Sequence, residues 1–173
     1  ALTGEQIAHF ILEKSVDILT FSRDGNWLAS GDGDGFVRVW DIRKKQQRYA
    51  WQHENTLQSA ATIRALAFAR DDQQLLVGDS TRFLKIYDLT HGRLSQKKQM
   101  SAPVYDIEVD SLSGSIALAI GEGLYSRMDV QAIDVGSGEL LWEKELNGGF
   151  ISILFSPDGA NFATTDTKKE KRN

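Results

Sequence analysis

The sequence repeats itself, and that repeat limits the possible architectures more than any single motif does. Residues Val16 to Asp41 (VDILTFSRDGNWLASGDGDGFVRVWD) align with Ile63 to Asp88 (IRALAFARDDQQLLVGDSTRFLKIYD) at a constant shift of 47, without a gap. The matched pairs include Phe21 with Phe68, Asp24 with Asp71, Gly31 with Gly78, Phe36 with Phe83 and Asp41 with Asp88. A looser third copy runs from Val104 to Asp134. A fourth begins at Phe150, where FISILFSPDGANFATTD matches VDILTFSRDGNWLASGD at a shift of 134. Gly4, Gly92 and Gly138 recur between copies, each lying 17 residues before Phe21, Val109 and Phe155 respectively. The successive intervals from Phe21 to Phe68, from Phe68 to Val109 and from Val109 to Phe155 are 47, 41 and 46, so the period lies in the mid-forties.

Each unit reads as four short strands. The first is a dense apolar run, VDILTF or IRALAF, which suits a strand buried on both faces. A turn such as Ser156-Pro157-Asp158-Gly159 follows, with Pro presetting φ and Gly accepting a positive φ. The second strand is NWLAS or QQLLVG, the third alternates as Phe36-Val37-Arg38-Val39-Trp40, and the fourth starts after the Gly marker. Nowhere does an apolar stripe of helical period persist. Four such strands cannot cover both faces of their own sheet, so successive units must cover one another around an axis. The predicted fold is all-β: β-propeller blades of four antiparallel strands. Residues 1–15 are the end of a preceding blade, 16–61, 62–101 and 102–148 are blades, and 149–173 are a truncated blade. Such a chain is either a piece of a longer propeller or a half-ring closed by association.

The composition narrows the function. Of 173 residues, 41% are apolar, enough for a core, and the net charge of −4 argues against a non-specific nucleic-acid binder. The absence of cysteine excludes disulfides, zinc–thiolate sites and a Cys nucleophile. The longest clean apolar stretch, Ile116 to Ile120, is far short of a membrane span, so no membrane partner is expected. Gly31-Asp32-Gly33-Asp34-Gly35 could suggest a phosphate loop or a calcium loop. A strand rather than a helix follows it, and Phe36 takes the next ligand position, so it reads as a hairpin turn. His9, His53 and His91 lie too far apart for a local metal motif. His91 reads as a turn residue, and His53 falls in an insertion around Gln52 to Ala61. The repeating aromatics Trp27, Trp40, Trp51 and Trp142 read as packing, and Lys168 to Arg172 as a solvated end. No catalytic residue, cofactor or metal is expected.

With these features in view, the chain resembles the WD-repeat family. Phe21-Ser22-Arg23-Asp24-Gly25, Leu28-Ala29-Ser30-Gly31, Asp34 and Val37-Arg38-Val39-Trp40-Asp41 follow its pattern closely, and Tyr87-Asp88 and Ile133-Asp134 are degenerate forms of its Trp-Asp pair. The resemblance gives Ser30, Asp34, Trp40, Asp41, Tyr87 and Asp88 structural roles. It also implies a His before the first strand, bonded to the Asp of the turn. Leu12-Glu13-Lys14-Ser15 and Leu57-Gln58-Ser59-Ala60 hold no His, so a network without its His is expected. The function implied is a non-catalytic scaffold whose partners are other proteins and the remaining blades of the same propeller, inside the cell and in the cytoplasm. Partner contacts are implied at the position after the first aliphatic of each first strand: Asp17, Arg64, Tyr105 and Ile151. Two alternatives stand beside it. One is a quinone-repeat propeller, an oxidoreductase or outer-membrane assembly factor, which the string from Ala132 to Trp142 resembles. The other is a regulatory propeller fused to an enzyme domain.

Overall fold

The computed structural model describes residues 4–6, 8–12, 14–53, 61–69, 71–110, 112–114, 116–122, 127–147 and 149–167, with the backbone alone at 116–122, 127–128, 147, 149–151 and 166–167. The fourteen elements among the described residues are all strands. The first sheet holds β1 (Ile18–Phe21), β2 (Trp27–Gly31), β3 (Phe36–Asp41) and β4 (Gln46–Gln52). The second holds β5 (Ile63–Phe68), β6 (Gln74–Asp79), β7 (Phe83–Asp88) and β8 (Arg93–Gln99). The third holds β9 (Val104–Val109), β10 (Ile116–Glu122), β11 (Arg127–Asp134) and β12 (Leu140–Asn147). A two-stranded sheet, β13 (Gly149–Phe155) with β14 (Phe162–Thr167), follows. Every pairing is antiparallel between sequence neighbours, so each sheet is a meander.

The hairpin turns show how local sequence sets the strand ends. Ser22 Oγ accepts the amide of Trp27 at 2.9 Å, and the Gly25 amide donates to Ser22 O at 3.0 Å with Gly25 at φ 70. The fourth copy builds the same turn with Ser156, Asn161 and Gly159. The second copy lacks the hydroxyl, since Ala69 replaces the Ser. There the Asp72 amide bonds Ala69 O, and Asp72 itself takes a positive φ of 56.

Strand alternation sends apolar side chains to both faces of the second sheet. Leu75, Val77 and Tyr87 join Ala29, Val37 and Val39 of the first sheet in one core. Leu76, Leu84 and Ile86 join Val104, Ile107, Ile133 and Val135 of the third in another. A third core of Val130, Ala132 and Ile153 links the last two sheets. Contacts also run between first strands, β1 to β5, β5 to β9 and β9 to β13, so these strands lie innermost. The fourth strands β4 and β8 are mostly exposed and lie outermost. Gly31 and Gly78 hold the same place in successive sheets. A Cβ on Gly31 would collide with Ile63, and one on Gly78 with Val104. Each glycine therefore leaves a hollow that the first residue of the next sheet fills.

One first strand departs from the double burial expected of it. In β1, Leu19 and Phe21 are 58% and 62% exposed, whereas most of β5 is buried. The buried run of β5 lies between two neighbours. On the far side of β1, no strand packs among the described residues.

Candidate functional site

Register slips occur in three of the four innermost strands, β5, β9 and β13. In β5, Ile63 pairs with Asp79 and Ala65 with Gly78, so Arg64 is the extra residue of a bulge. In β9, Val104 pairs with Gly121 and Asp106 with Ile120, which makes Tyr105 the extra residue. The slip in β13 falls between Phe150 and Ile153 and takes in Ile151, whose side chain lies outside the described part. Asp17 sits just before β1, with its amide bonded to Gly31 O at 3.0 Å. A bulge leaves one residue out of the ladder and re-aims its side chain. These are the four positions that the resemblance singled out.

Arg64 and Tyr105 come together across the boundary between the second and third sheets. The exposed guanidinium of Arg64 lies 4.8 Å from the centroid of the Tyr105 ring, a cation–π contact. Asp17 is exposed and joins no ion pair among the described residues. Other acids are engaged. Asp106 Oδ2 accepts from Ser152 Oγ at 2.9 Å and from the Ile153 amide at 3.0 Å, tying the third sheet to the last. The outer strands slip too, opposite Val39–Trp40, Ile86–Tyr87 and Ala132–Ile133, so a bulge alone follows from twist. The inner row differs in holding solvent-facing polar groups.

At the other end of the same strands, a groove of about 330 Å³ is lined by Thr20, Phe21, Leu66, Ala67, Phe68 and Glu108, among others. Burial, with the charge of Asp106 second, holds the Glu108 carboxyl above its ordinary range.

The buried network corrects the sequence reading. A His is present: His53, placed in the insertion by spacing, follows β4 directly and is fully buried. Its Nδ1 lies 2.8 Å from Asp79 Oδ2, and its Nε2 lies 3.0 Å from the Tyr87 hydroxyl. Burial lowers the His53 pKa, so the ring is neutral at pH 7, and this fixes the bonding. Nδ1–H donates to the carboxylate, and Nε2 accepts from Tyr87, whose own pKa burial pushes up to about 12. Burial pushes the Asp79 carboxyl up, yet hydrogen bonds from His53 and Thr81 outweigh that and hold it below its usual value. Asp79 Oδ1 also accepts the amides of Thr81 and Phe83. The sequence does carry the signal. Extending the 47-residue shift past Asp88 pairs Gln46–His53 with Arg93–Met100, which puts His53 at a strand end.

The remaining predicted positions fall as follows. Ser30 and Trp40 are buried, with Trp40 Nε1 donating to Ser30 Oγ at 3.3 Å. Asp41 Oδ1 accepts the Lys44 amide, and Asp88 caps Thr90 and His91. Asp34 is exposed and pairs with Lys14 at 3.3 Å; the buried acid of that turn is Asp32. Asp32 accepts the amides of Asp34 and Phe36 and an Arg38 N–H, and it is the counterpart of Asp79 at the 47-residue shift. Trp142 stacks on Phe162 of β14 at 5.7 Å. Leu57 to Ala60 and Lys168 to Arg172 lie outside the described residues. No group of three or more metal-ligating side chains occurs among the described residues. Among the described residues, no helix is long and apolar enough to cross a membrane.

Known proteins supply an independent reading. The family described as WD domain, G-beta repeat, matches residues 4–41. No curated protein matches the chain in sequence. Among solved structures, the chain is similar to the β-propeller domain of Cps50 (Swd1) from Myceliophteria thermophila. The identity is 20% and the TM-score 0.74, over 91% of this chain and 51% of that one. The chain thus spans about half the length of that propeller domain. A match to the WD-repeat model at residues 4–41, followed by four-stranded sheets stacked through their innermost strands, makes this chain a run of β-propeller blades that begins with a WD repeat.

Proposed function

We infer that this chain is a non-catalytic platform on which other proteins assemble, and that a partner docks along the row Asp17, Arg64, Tyr105 and Ile151. The observation that carries this reading is the Arg64–Tyr105 contact at successive bulges of the innermost strands. Stacked sheets anchor both ends of each bulge, so little conformational freedom is lost when a partner binds. Arg and Tyr are also the side chains most often found to dominate binding energy. The protein acts inside the cell, in the cytoplasm, and fractionation of cells expressing it checks that location. The central test replaces Arg64 and Tyr105 together with Ala in the full-length protein and compares the proteins recovered with it. Loss of specific partners, with an unchanged circular dichroism spectrum, is the expected result; identical recovery refutes the docking row.

A further inference from the structure

We propose that Arg64 and Tyr105 form an anchor for a single carboxylate, so that the partner presents one Asp or Glu side chain on an otherwise uncharged segment. This rests on the docking row inferred above and adds the chemistry of what it recognises.

Three observations carry it. The Arg64 guanidinium carbon lies over the Tyr105 ring at 4.8 Å, a contact that restrains the side chain while Arg64 stays exposed. No carboxylate pairs with Arg64 among the described residues, although the chain is acidic and Asp17 holds the equivalent position one blade earlier. By contrast, Arg38 has Asp32 at 2.9 Å, and Lys85 has Asp79 at 3.9 Å. Finally, the Tyr105 hydroxyl has no hydrogen-bond partner among the described residues, so it is available as a second donor on the same pair.

A planar guanidinium offers two parallel N–H bonds to a carboxylate, and an Arg already restrained by a neighbouring ring loses less freedom in forming them than an unsupported Lys. The surroundings set the limit of one charge. Asp17 shares the row, and Asp106 follows Tyr105 in the chain, so a polyanion such as a nucleic acid or a run of acids would meet repulsion. A lone acid placed on Arg64 avoids both.

The test selects binders from a random ten-residue peptide library displayed on phage, using the full-length wild-type protein and the Arg64→Gln, Arg64→Lys and Tyr105→Ala variants. The wild type should enrich peptides with Asp or Glu at one fixed position, and that position should lose its preference with Arg64→Gln. For a synthetic enriched peptide, changing its acid to the amide should weaken binding on the order of tenfold in fluorescence anisotropy. Arg64→Lys should fall between, because the charge remains and the planar contact does not. Several results overturn the proposal: no enriched peptide, no fixed acid, an acid preference that survives Arg64→Gln, or much tighter binding when the acid becomes phosphoserine. Peptides that need Tyr105 but carry no acid refute the carboxylate anchor and leave the docking row standing. Peptides indifferent to both Arg64 and Tyr105 refute the row itself.

Discussion

The junction between the first and second blades and the junction between the second and third use the same backbone plan with opposite chemistry. At the first, Tyr49 and Trp51 reach from β4 onto the next blade: the Tyr49 hydroxyl donates to Leu89 O at 2.8 Å, and Trp51 Nε1 donates to Gly92 O at 3.3 Å. Trp51 stacks on Tyr87 at 4.2 Å, above the buried pair His53 and Asp79. At the second, Gln96 and Lys98 hold the matching positions and reach the carbonyls of Gly136 and Gly138. Met100 replaces His53, Ile133 replaces Tyr87, and both lie in one apolar core. A blade boundary of this geometry is thus satisfied either by aromatics over a closed polar network or by polar arms over plain apolar packing. The repeat preserves where the contacts fall, and their chemistry is free to change.

The largest expected effect separates the two junctions. Asp79→Ala should lower unfolding free energy by about 3–5 kcal/mol, because it strands buried His53 and frees two capped amides. Met100→Ala at the apolar junction should cost only about 2–3 kcal/mol, the ordinary price of a buried cavity. Urea midpoints of the two variants check the order, and equal losses would erase the distinction. Next in size, Trp51→Ala should cost about 2–3 kcal/mol through its lost stacking and area, whereas Lys98→Ala, at the matching place, should change stability by less than about 0.5 kcal/mol. Thermal unfolding of the pair measures this.

The smallest effect is a pH slope. Burial depresses the His53 pKa, so the folded state prefers the neutral ring. The stability it contributes is complete above the unfolded value of 6.5 and is lost as pH falls through the folded pKa. The Tm should therefore drop between pH 7.5 and 5.5, and His53→Met, which copies the apolar junction, should flatten that drop. The raised Glu108 pKa gives a slope of the opposite sign above its ordinary value of 4.5, and it is common to both proteins. An equal slope in the variant would show that His53 does not titrate as its burial requires.

Much of this was written in the period of the sequence. The 47-residue shift pairs Gly31 with Gly78 and Asp41 with Asp88, and the structure keeps both pairs in register. That succeeds because the strand repeat of two residues ties side-chain identity to face. His53 was harder to see. Counted back from the first strand, the His is displaced, because the segment between His53 and Ile63 breaks the spacing there. Counting forward from β3 recovers it. Asp32 was hidden by its neighbour, since two acids in one turn look alike until burial distinguishes them. The bulges could not be read at all, because a bulge is a hydrogen-bond register, and no residue type in Arg64 or Tyr105 encodes it. The contact between those two side chains depends on the spacing of adjacent blades, which only the folded arrangement sets.

The hollows at Gly31 and Gly78 bear on how such a chain can be cut or rebuilt. Ile63 and Val104 complete the sheet that precedes them, so the natural module straddles the visible edge of each sheet. A deletion that removes one whole sheet leaves its predecessor with an empty notch and offers its successor a plug shaped for another seat. Excision or shuffling of these units should therefore break within a sheet and keep each notch with its plug.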